Sequence, residues 1–264
     1  MIYAMSDIHG CLDALKEKMK LVDLSGKNRI IFLGDYIGYG PKSGQVLKFL
    51  FDIQKKHGAD KVIILKGNHE DMLLRWIDEF SDRKRSLDDG LSFDLWLKND
   101  SEVGYNTFKT LVTKEQLNEL SAFEKKASFS EINKKAAKML IETNGELIDW
   151  LRSLDIFYAT DTQIFVHAGV DEEAEDFWEW GTSEETFLWK YPASEGYFYK
   201  TVIAGHIGTS GLAGDDDFHD IYHDGESHYF IDGTVNNGGK LLLLGYDETS
   251  EKYYQIEENE KILI

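Results

Sequence analysis

The chain has 264 residues, 42% of them hydrophobic and 13% aromatic, which is enough apolar material for a sizeable core and too much for a disordered chain. Its 29 basic and 48 acidic side chains leave a formal charge of −19, which argues against a nucleic-acid backbone or an anionic membrane as the main partner. A single cysteine, Cys11, excludes an intramolecular disulfide.

The first residues, Met1 to Asp7, have neither a basic region nor the long apolar stretch of a signal peptide. No apolar run approaches the roughly 20 residues of a bilayer span. A cytoplasmic location and one globular domain over 1–264 are therefore expected.

Short apolar runs with β-branched content recur along the chain, and each breaks off into polar residues. Ile2–Met5 leads into Ser6-Asp7-Ile8-His9-Gly10, Ile30–Leu33 into Gly34-Asp35, and Val62–Leu65 into Lys66-Gly67-Asn68-His69-Glu70. Further on, Ile164–Val166 ends at His167-Ala168-Gly169 and Val202–Ala204 at Gly205-His206. Such runs read as buried strands. Between the first three, Leu12, Leu15, Met19 and Val22, and then Val46, Leu47, Leu50 and Phe51, keep the spacing of an amphipathic helix. Strand–helix–strand alternation predicts an α/β layered fold, in which ligands sit beyond the carboxyl ends of the strands. Every polar cluster quoted falls at such an end.

Residues from about 70 to 155 differ in character. Met72, Leu73, Trp76, Ile77 and Phe80 predict a helix, the charged stretch Ser81-Asp82-Arg83-Lys84-Arg85 breaks it, and mixed helical segments run on to Trp150. With no proline and only Gly90, Gly104 and Gly145, this reads as a helical insertion over the strand ends and not as a flexible linker. Strands return after it. Ile221-Tyr222-His223, Asp224-Gly225 and His228–Ile231 predict a hairpin with a tight Asp-Gly turn, and Leu241–Leu244 and Tyr253–Ile256 are further strand candidates.

The clusters carry metal chemistry. Asp7 and His9 stand two apart, Asp35 offers a second carboxylate able to bridge, Asn68 an amide oxygen, and His167 and His206 imidazole nitrogens. That mixture suits manganese, iron, zinc or nickel better than calcium, which prefers an all-oxygen shell. Two such ions about 3.5–4 Å apart clamp a phosphate and turn the water between them into a hydroxide nucleophile. His69 is the natural proton donor to the leaving oxygen.

These motifs, Asp7-Ile8-His9-Gly10, Gly34-Asp35, Gly67-Asn68-His69-Glu70, Val166-His167-Ala168-Gly169 and Ala204-Gly205-His206, together resemble those of the calcineurin-like metallophosphoesterases. Within that superfamily the chain is similar to bacterial serine/threonine protein phosphatases and to symmetrical diadenosine tetraphosphatases. Trp96-Leu97-Lys98-Asn99 with Tyr105-Asn106-Thr107 resembles a conserved Trp-x-x-Asn-Gly-Gly-x-x-Thr stretch, and Ile231-Asp232-Gly233 through Gly238-Gly239-Lys240-Leu241 the Asp-x-Gly…Gly-Gly-x-Leu close. The resemblance implies a four-layer α/β/β/α sandwich. It implies one metal, manganese by preference, on Asp7, His9 and Asp35, a second on Asp35, Asn68, His167 and His206, and His69 as general acid. The expected activity is hydrolysis of phosphomonoesters by attack of a metal-bridging hydroxide, on a small molecule or a phosphoprotein. A phosphodiesterase or dinucleoside polyphosphate hydrolase is the alternative, and a non-catalytic scaffold the third reading.

Two positions depart from the protein-phosphatase pattern Gly-Asp-x-x-Asp-Arg-Gly. Gly38 stands where an aspartate would orient the catalytic histidine, and Tyr39 where an arginine would grip phosphate with a charged fork. Tyr39 is expected to face the substrate and to shift preference away from phosphoprotein dianions. Lys190, in Leu188-Trp189-Lys190-Tyr191, is the candidate substitute for a second phosphate-binding arginine. Cys11 is expected to pack at a helix start and His57 to sit at a helix end. His219, His223 and His228 beside Asp215–Asp217 read as a solvated acidic loop. Trp178, Trp180 and Trp189 are either cleft-lining or core residues.

Overall fold

The computed structural model describes residues 1–81, 97, 102–258 and 260–264, with the Glu102 side chain left out. The charged residues 82–85, together with Gly90, Trp96, Lys98 and Asn99, lie outside the described residues, while Leu97 is buried.

In chain order the elements begin with β1 (Ile2–Met5), α1 (Leu12–Met19), β2 (Arg29–Phe32), α2 (Ser43–His57), β3 (Val62–Ile64) and α3 (Asn68–Phe80). Helices α4 (Glu102–Leu111), α5 (Lys114–Glu124) and α6 (Phe129–Arg152) follow. Strands β4 (Phe157–Ala159) and β5 (Gln163–Val166) lead to a 3-10 turn at Glu172–Phe177 and the short helices α7 (Trp178–Gly181) and α8 (Glu184–Trp189). The chain ends with β6 (Thr201–Gly208), α9 (Thr209–Ala213), β7 (Tyr222–His223), β8 (His228–Asp232), β9 (Leu244–Asp247), β10 (Lys252–Glu257) and β11 (Glu260–Leu263).

Two sheets result, ordered β11-β10-β9-β1-β2-β3 and β4-β5-β6-β8-β7. β1, β2 and β3 run parallel to one another, as do β5, β6 and β8, so each trio delivers its carboxyl ends to one edge. Alternation of side chains assigns the layers. Ile2 and Ala4, Ile31 and Leu33, Phe165, Ile203 and Ile231 share the core between the sheets. Tyr3, Met5, Ile30 and Phe32 face a core built with Leu15, Leu47, Leu50, Trp76, Ile77 and Leu140 of the helices. Ile164, Val166, Val202 and Phe230 face Trp178 and Phe187 on the far side. Helices, sheet, sheet and short helices make the four layers that the resemblance implied.

Several details differ from the sequence reading. The predicted hairpin has a four-residue loop, 224–227, because the Asp224 carboxylate accepts from the amides of Glu226 and His228 and holds a wider turn. Leu241, Leu242 and Leu243 are buried, yet the ladder begins only at Leu244: apolar burial and strand pairing are separate properties here. β6 runs past Ala204 to Gly208 across a register shift, and His206 sits in that bulge with φ +66°. Bulges beside functional sites re-aim a side chain.

Candidate metal centre

The loops after the parallel strands lock onto one another. Asp7 N donates to Gly34 O, His9 N to Asp35 O, Gly10 N to Tyr36 O and Gly205 N to His167 O, at 2.8–3.1 Å. Asp7, His9, Asp35 and His206 all have positive φ, between 45° and 66°. That left-handed backbone is sparsely populated for residues with a Cβ and is held only where the surroundings over-determine it. The packing also dictates a glycine: a Cβ on Gly205 would come within 2.1 Å of Asp7 Oδ2.

The sequence-predicted residues meet. His9, Asp35 and His69 form one group of potential ligand atoms, and Asp35, His167 and His206 a second, each with all atoms within 4.8 Å of one another. Asp35 belongs to both. His9 Nε2 stands 3.7 Å from Asp7 Oδ1 and 3.7 Å from Asp35 Oδ2. His69 Nε2 is 3.6 Å from Asp35 Oδ2, and His167 Nε2 is 3.5 Å from Asp35 Oδ1. His9 Nδ1 lies 2.9 Å from Ile37 O, which places the proton on Nδ1 and leaves Nε2 as the donor toward the carboxylates. The geometry thus brings His69, the expected proton donor, as close to the shared carboxylate as His9.

Electrostatics show what the cluster lacks. Burial, then neighbouring carboxylates, holds Asp7 and Asp35 well above the usual carboxylate range, Asp232 acting on Asp7 and Asp7 and Glu70 on Asp35. Burial lifts Asp232 itself to about 6. Burial lowers His9 to about 4 and drives His69 and His167 well below the ordinary value, each opposed further by neighbouring imidazoles. Carboxylates and imidazoles are alike pushed toward neutrality, by burial first and by like neighbours second. Asn68 fits the same pattern. Its oxygen points at His167 Nε2 at 2.7 Å. Turned over, its nitrogen would instead donate to His167, to both Asp35 oxygens and to His206 Nδ1, at 2.7–3.3 Å. A cation at that focus is what would favour the oxygen. The donor set therefore fits divalent metal.

Two contributors have no role in the sequence reading. Glu70 is fully buried and accepts from the amides of Asp35, Tyr36, Ile37 and Gly67 at 2.8–3.2 Å, fixing the loop that carries Asp35. Sequence spacing hides this, because three of its partners are backbone groups more than thirty residues away. Asp232, quoted only as part of the closing motif, adds buried negative charge beside Asp7.

The departures from the pattern also find their places. A Cβ on Gly38 would lie 2.7 Å from His69 Nδ1, and its φ is +126°. The backbone is pressed onto the imidazole, and buried His69 Nδ1 has no hydrogen-bond partner among the described residues. Gly38 N donates to Ser43 and to Thr107, and Asn106 donates to Tyr39 O, so α4 is laced to this loop. The Tyr39 ring packs against His9 and His69 with centroids 5.1 and 5.5 Å apart. Lys190 lays its stem over Gly169 and bonds Val170 O and Glu172. Trp178 is core, Trp180 is exposed, and Trp189 stands 6.3 Å from His206 at 81°. Cys11 begins α1, its thiol pKa raised by burial, and His57 ends α2. His228 is buried between Asp224 and Glu172, His223 stacks on Tyr229 and His219 meets Thr234, so the three histidines are packed while Asp215–Asp217 are exposed.

A two-sheet sandwich with clustered carboxylates, imidazoles and an amide at its strand ends defines a metal-dependent phosphoric ester hydrolase. Residues 1–210 match the model of the calcineurin-like phosphoesterases, and the chain belongs to that family. It is similar to symmetrical bis(5'-nucleosyl)-tetraphosphatases from Wigglesworthia glossinidia brevipalpis (37% identical over 27% of this chain and 25% of that protein) and from Chromobacterium violaceum (34% identical, 34% and 32%). The match thus spans about a quarter to a third of the length of those relatives. Among solved structures it resembles a cold-active protein-tyrosine phosphatase of a psychrophilic Shewanella (14% identity, TM-score 0.54, 99% of this chain and 79% of that one). It also resembles a serine/threonine phosphatase from Saccharomyces cerevisiae (12%, 0.50, 100% and 78%). At these identities the two structures attest the fold. No helix among the described residues is long and apolar enough to cross a membrane.

Proposed function

We propose that this hydrolase cleaves phosphoanhydride or phosphodiester links in nucleotides, the dinucleoside polyphosphates above all. The observation that carries the reading is Tyr39 against His9 and His69, a neutral aromatic ring where a protein phosphatase would present a guanidinium. The named activity of the partly matching relatives points the same way. Hydrolysis of phosphomonoesters, including phosphoserine and phosphothreonine in proteins, is the second reading. Its support is the complete run of metal motifs shared with those phosphatases.

In this proposal Asp7, His9 and Asp35 hold one divalent ion and Asp35, Asn68, His167 and His206 the other, with manganese first among iron, zinc and nickel. The ions supply Lewis acidity to the phosphoryl oxygens and lower the pKa of water. Asp35, which belongs to both groups of ligand atoms, would be shared between them. Glu70 holds the Asp35 loop, and the Ile37 carbonyl keeps the His9 proton on Nδ1. His69 Nδ1 is closed off beneath Gly38, so the proton for the leaving oxygen travels on Nε2. Lys190 reaches phosphate only by leaving Val170 and Glu172. We take the chain as one cytoplasmic domain in which 70–155 is a helical insertion over the strand ends.

The test is a manganese-supplemented comparison of diadenosine tetraphosphate, bis-p-nitrophenyl phosphate, p-nitrophenyl phosphate and a phosphoserine peptide. The expected order places diadenosine tetraphosphate first in kcat/KM. A phosphopeptide turned over faster than the dinucleotide would hand the assignment to the second reading.

A further inference from the structure

Resting on that hydrolase reading, we propose that Tyr39 and Trp189 are the specificity-determining walls of the centre, each stacking on one nucleobase of a substrate whose two nucleosides are joined through phosphates.

The first ground is exposure at an unusual place. Asp7, His9, Asp35, Asn68, His69 and His167 are all buried, yet the two aromatic rings that border them remain 45% (Tyr39) and 37% (Trp189) exposed. A half-exposed Tyr or Trp at the rim of a polar centre offers an apolar face with a polar handle, the combination enriched at binding surfaces.

The second ground is position. Tyr39 touches His9 and His69, which form one ligand group with Asp35, whereas Trp189 touches His206, which belongs to the other. The two rings therefore border different ligand groups that share the Asp35 carboxylate. Both meet their histidines nearly at right angles, 75° for Tyr39 on His9 and 81° for Trp189 on His206, so neither is sandwiched face to face there. Phe177, Trp180, Tyr191 and Tyr197 are more exposed still, but show no ring contact with the centre.

The third ground is the supply of charge. Arg29, Arg75 and Arg152, the arginines among the described residues, are engaged with Glu248, Asp71 and Asp78. Among the described residues these three guanidinium groups pair with carboxylates of the scaffold, while the half-exposed ring faces border the centre. One wall would serve a phosphotyrosine ring. Two walls, one beside each ligand group, match a molecule with a flat group at each end of a phosphate chain. Aromatic stacking accepts any base, so the inferred class is dinucleoside polyphosphates generally and not the adenosine member alone.

Calorimetry on the full-length, metal-loaded protein tests this without turnover. The probes are diadenosine tetraphosphate with a methylene-bridged, non-cleavable centre, methylenediphosphonate as the base-free reference, and a phosphonomethyl-phenylalanine peptide standing for phosphotyrosine. The wild type should bind the dinucleotide more tightly than either of the others. Tyr39→Leu and Trp189→Leu should each cut the dinucleotide-to-diphosphonate affinity ratio by roughly 5- to 100-fold, the worth of one stacked base. Tyr39→Phe and Trp189→Phe, which keep a ring, should hold the ratio within about threefold. The proposal is overturned if wild type does not prefer the dinucleotide, if the peptide binds tightest, or if the leucine variants leave the ratio unchanged. Selective, ring-dependent binding with no hydrolysis of the natural dinucleotide would instead sink the hydrolase reading and leave the two walls standing.

Discussion

Two buried polar clusters in this molecule are built on opposite principles. Around His228 every charge is answered: Nδ1 meets Asp224 at 2.8 Å, Nε2 meets Glu172 at 3.1 Å, and Lys190 closes on Glu172 and the Val170 carbonyl. Burial opposes all three shifts, yet Glu172 is lowered and His228 raised by their pairing, and Asp224 is lowered by the amides of His228, Glu226 and Gly196 and then by the His228 imidazole. Around Asp35 the reverse holds, with carboxylates raised and imidazoles lowered by burial and by one another. The first cluster completes itself and serves as architecture. The second stays short of positive charge, which is what a centre for divalent ions requires. Burial alone does not separate the two; the sign of the shifts does.

Replacing a member of each cluster should break the molecule in different ways. The largest effect is expected from Asp35→Asn, which removes the shared carboxylate. Loss of transition-state stabilisation of several kcal/mol lowers kcat/KM by about three orders of magnitude or more, with loss of bound metal by elemental analysis. Urea unfolding of the metal-free protein should show no loss of stability, since asparagine keeps an oxygen for the His69 amide and brings no charge into the buried site. A variant less stable without metal would place Asp35 with the architectural cluster.

His69→Gln should come next, with kcat down by about 10²–10⁴. Because His69 Nε2 lies as near Asp35 as His9 Nε2 does, the same variant separates two roles. A proton donor leaves the metal stoichiometry at two, and its loss matters less for p-nitrophenyl esters, whose leaving group needs no proton. A ligand takes an ion with it and slows every substrate alike.

How much of this was legible in the sequence follows from where the information lies. Strand ends were readable because a β-branched run stops abruptly at an Asp, Asn or His, and five such stops announce both the layers and the cluster. Glu70 was not, since its role is to satisfy amides brought to it by the fold. Trp189 could not be told from Trp178 by pattern, although one meets His206 and the other lies in the core. The histidines near 220 were read with the acidic loop beside them. Pairing across β8 and the 3-10 turn, 56 residues apart in sequence, is what buries His228.

That pairing gives the smallest and most discriminating prediction. His228→Gln keeps a polar side chain but leaves Glu172 and Asp224 without their imidazolium, and should destabilise the fold by on the order of 3 kcal/mol near pH 6. Among the described residues, Lys190 on Glu172, His223 at 3.9 Å from Asp224, and the phenols of Tyr222 and Tyr229, which feel the Asp224 charge, are the other charged or titratable groups facing the pair. The direction with pH follows from the shift. A histidine whose folded pKa is raised contributes fully below its unfolded value of about 6.5 and loses that contribution as pH rises through the folded value. The lowered carboxylates contribute above about pH 4–4.5 and lose their share on further acidification. The gap in unfolding free energy between wild type and variant should therefore be widest near pH 5–6 and narrower at pH 8.5. Folded His228→Gln should retain wild-type metal content, because this cluster answers its own charges. An unchanged gap at both pH values, or metal lost from the folded variant, would erase the distinction between the two clusters.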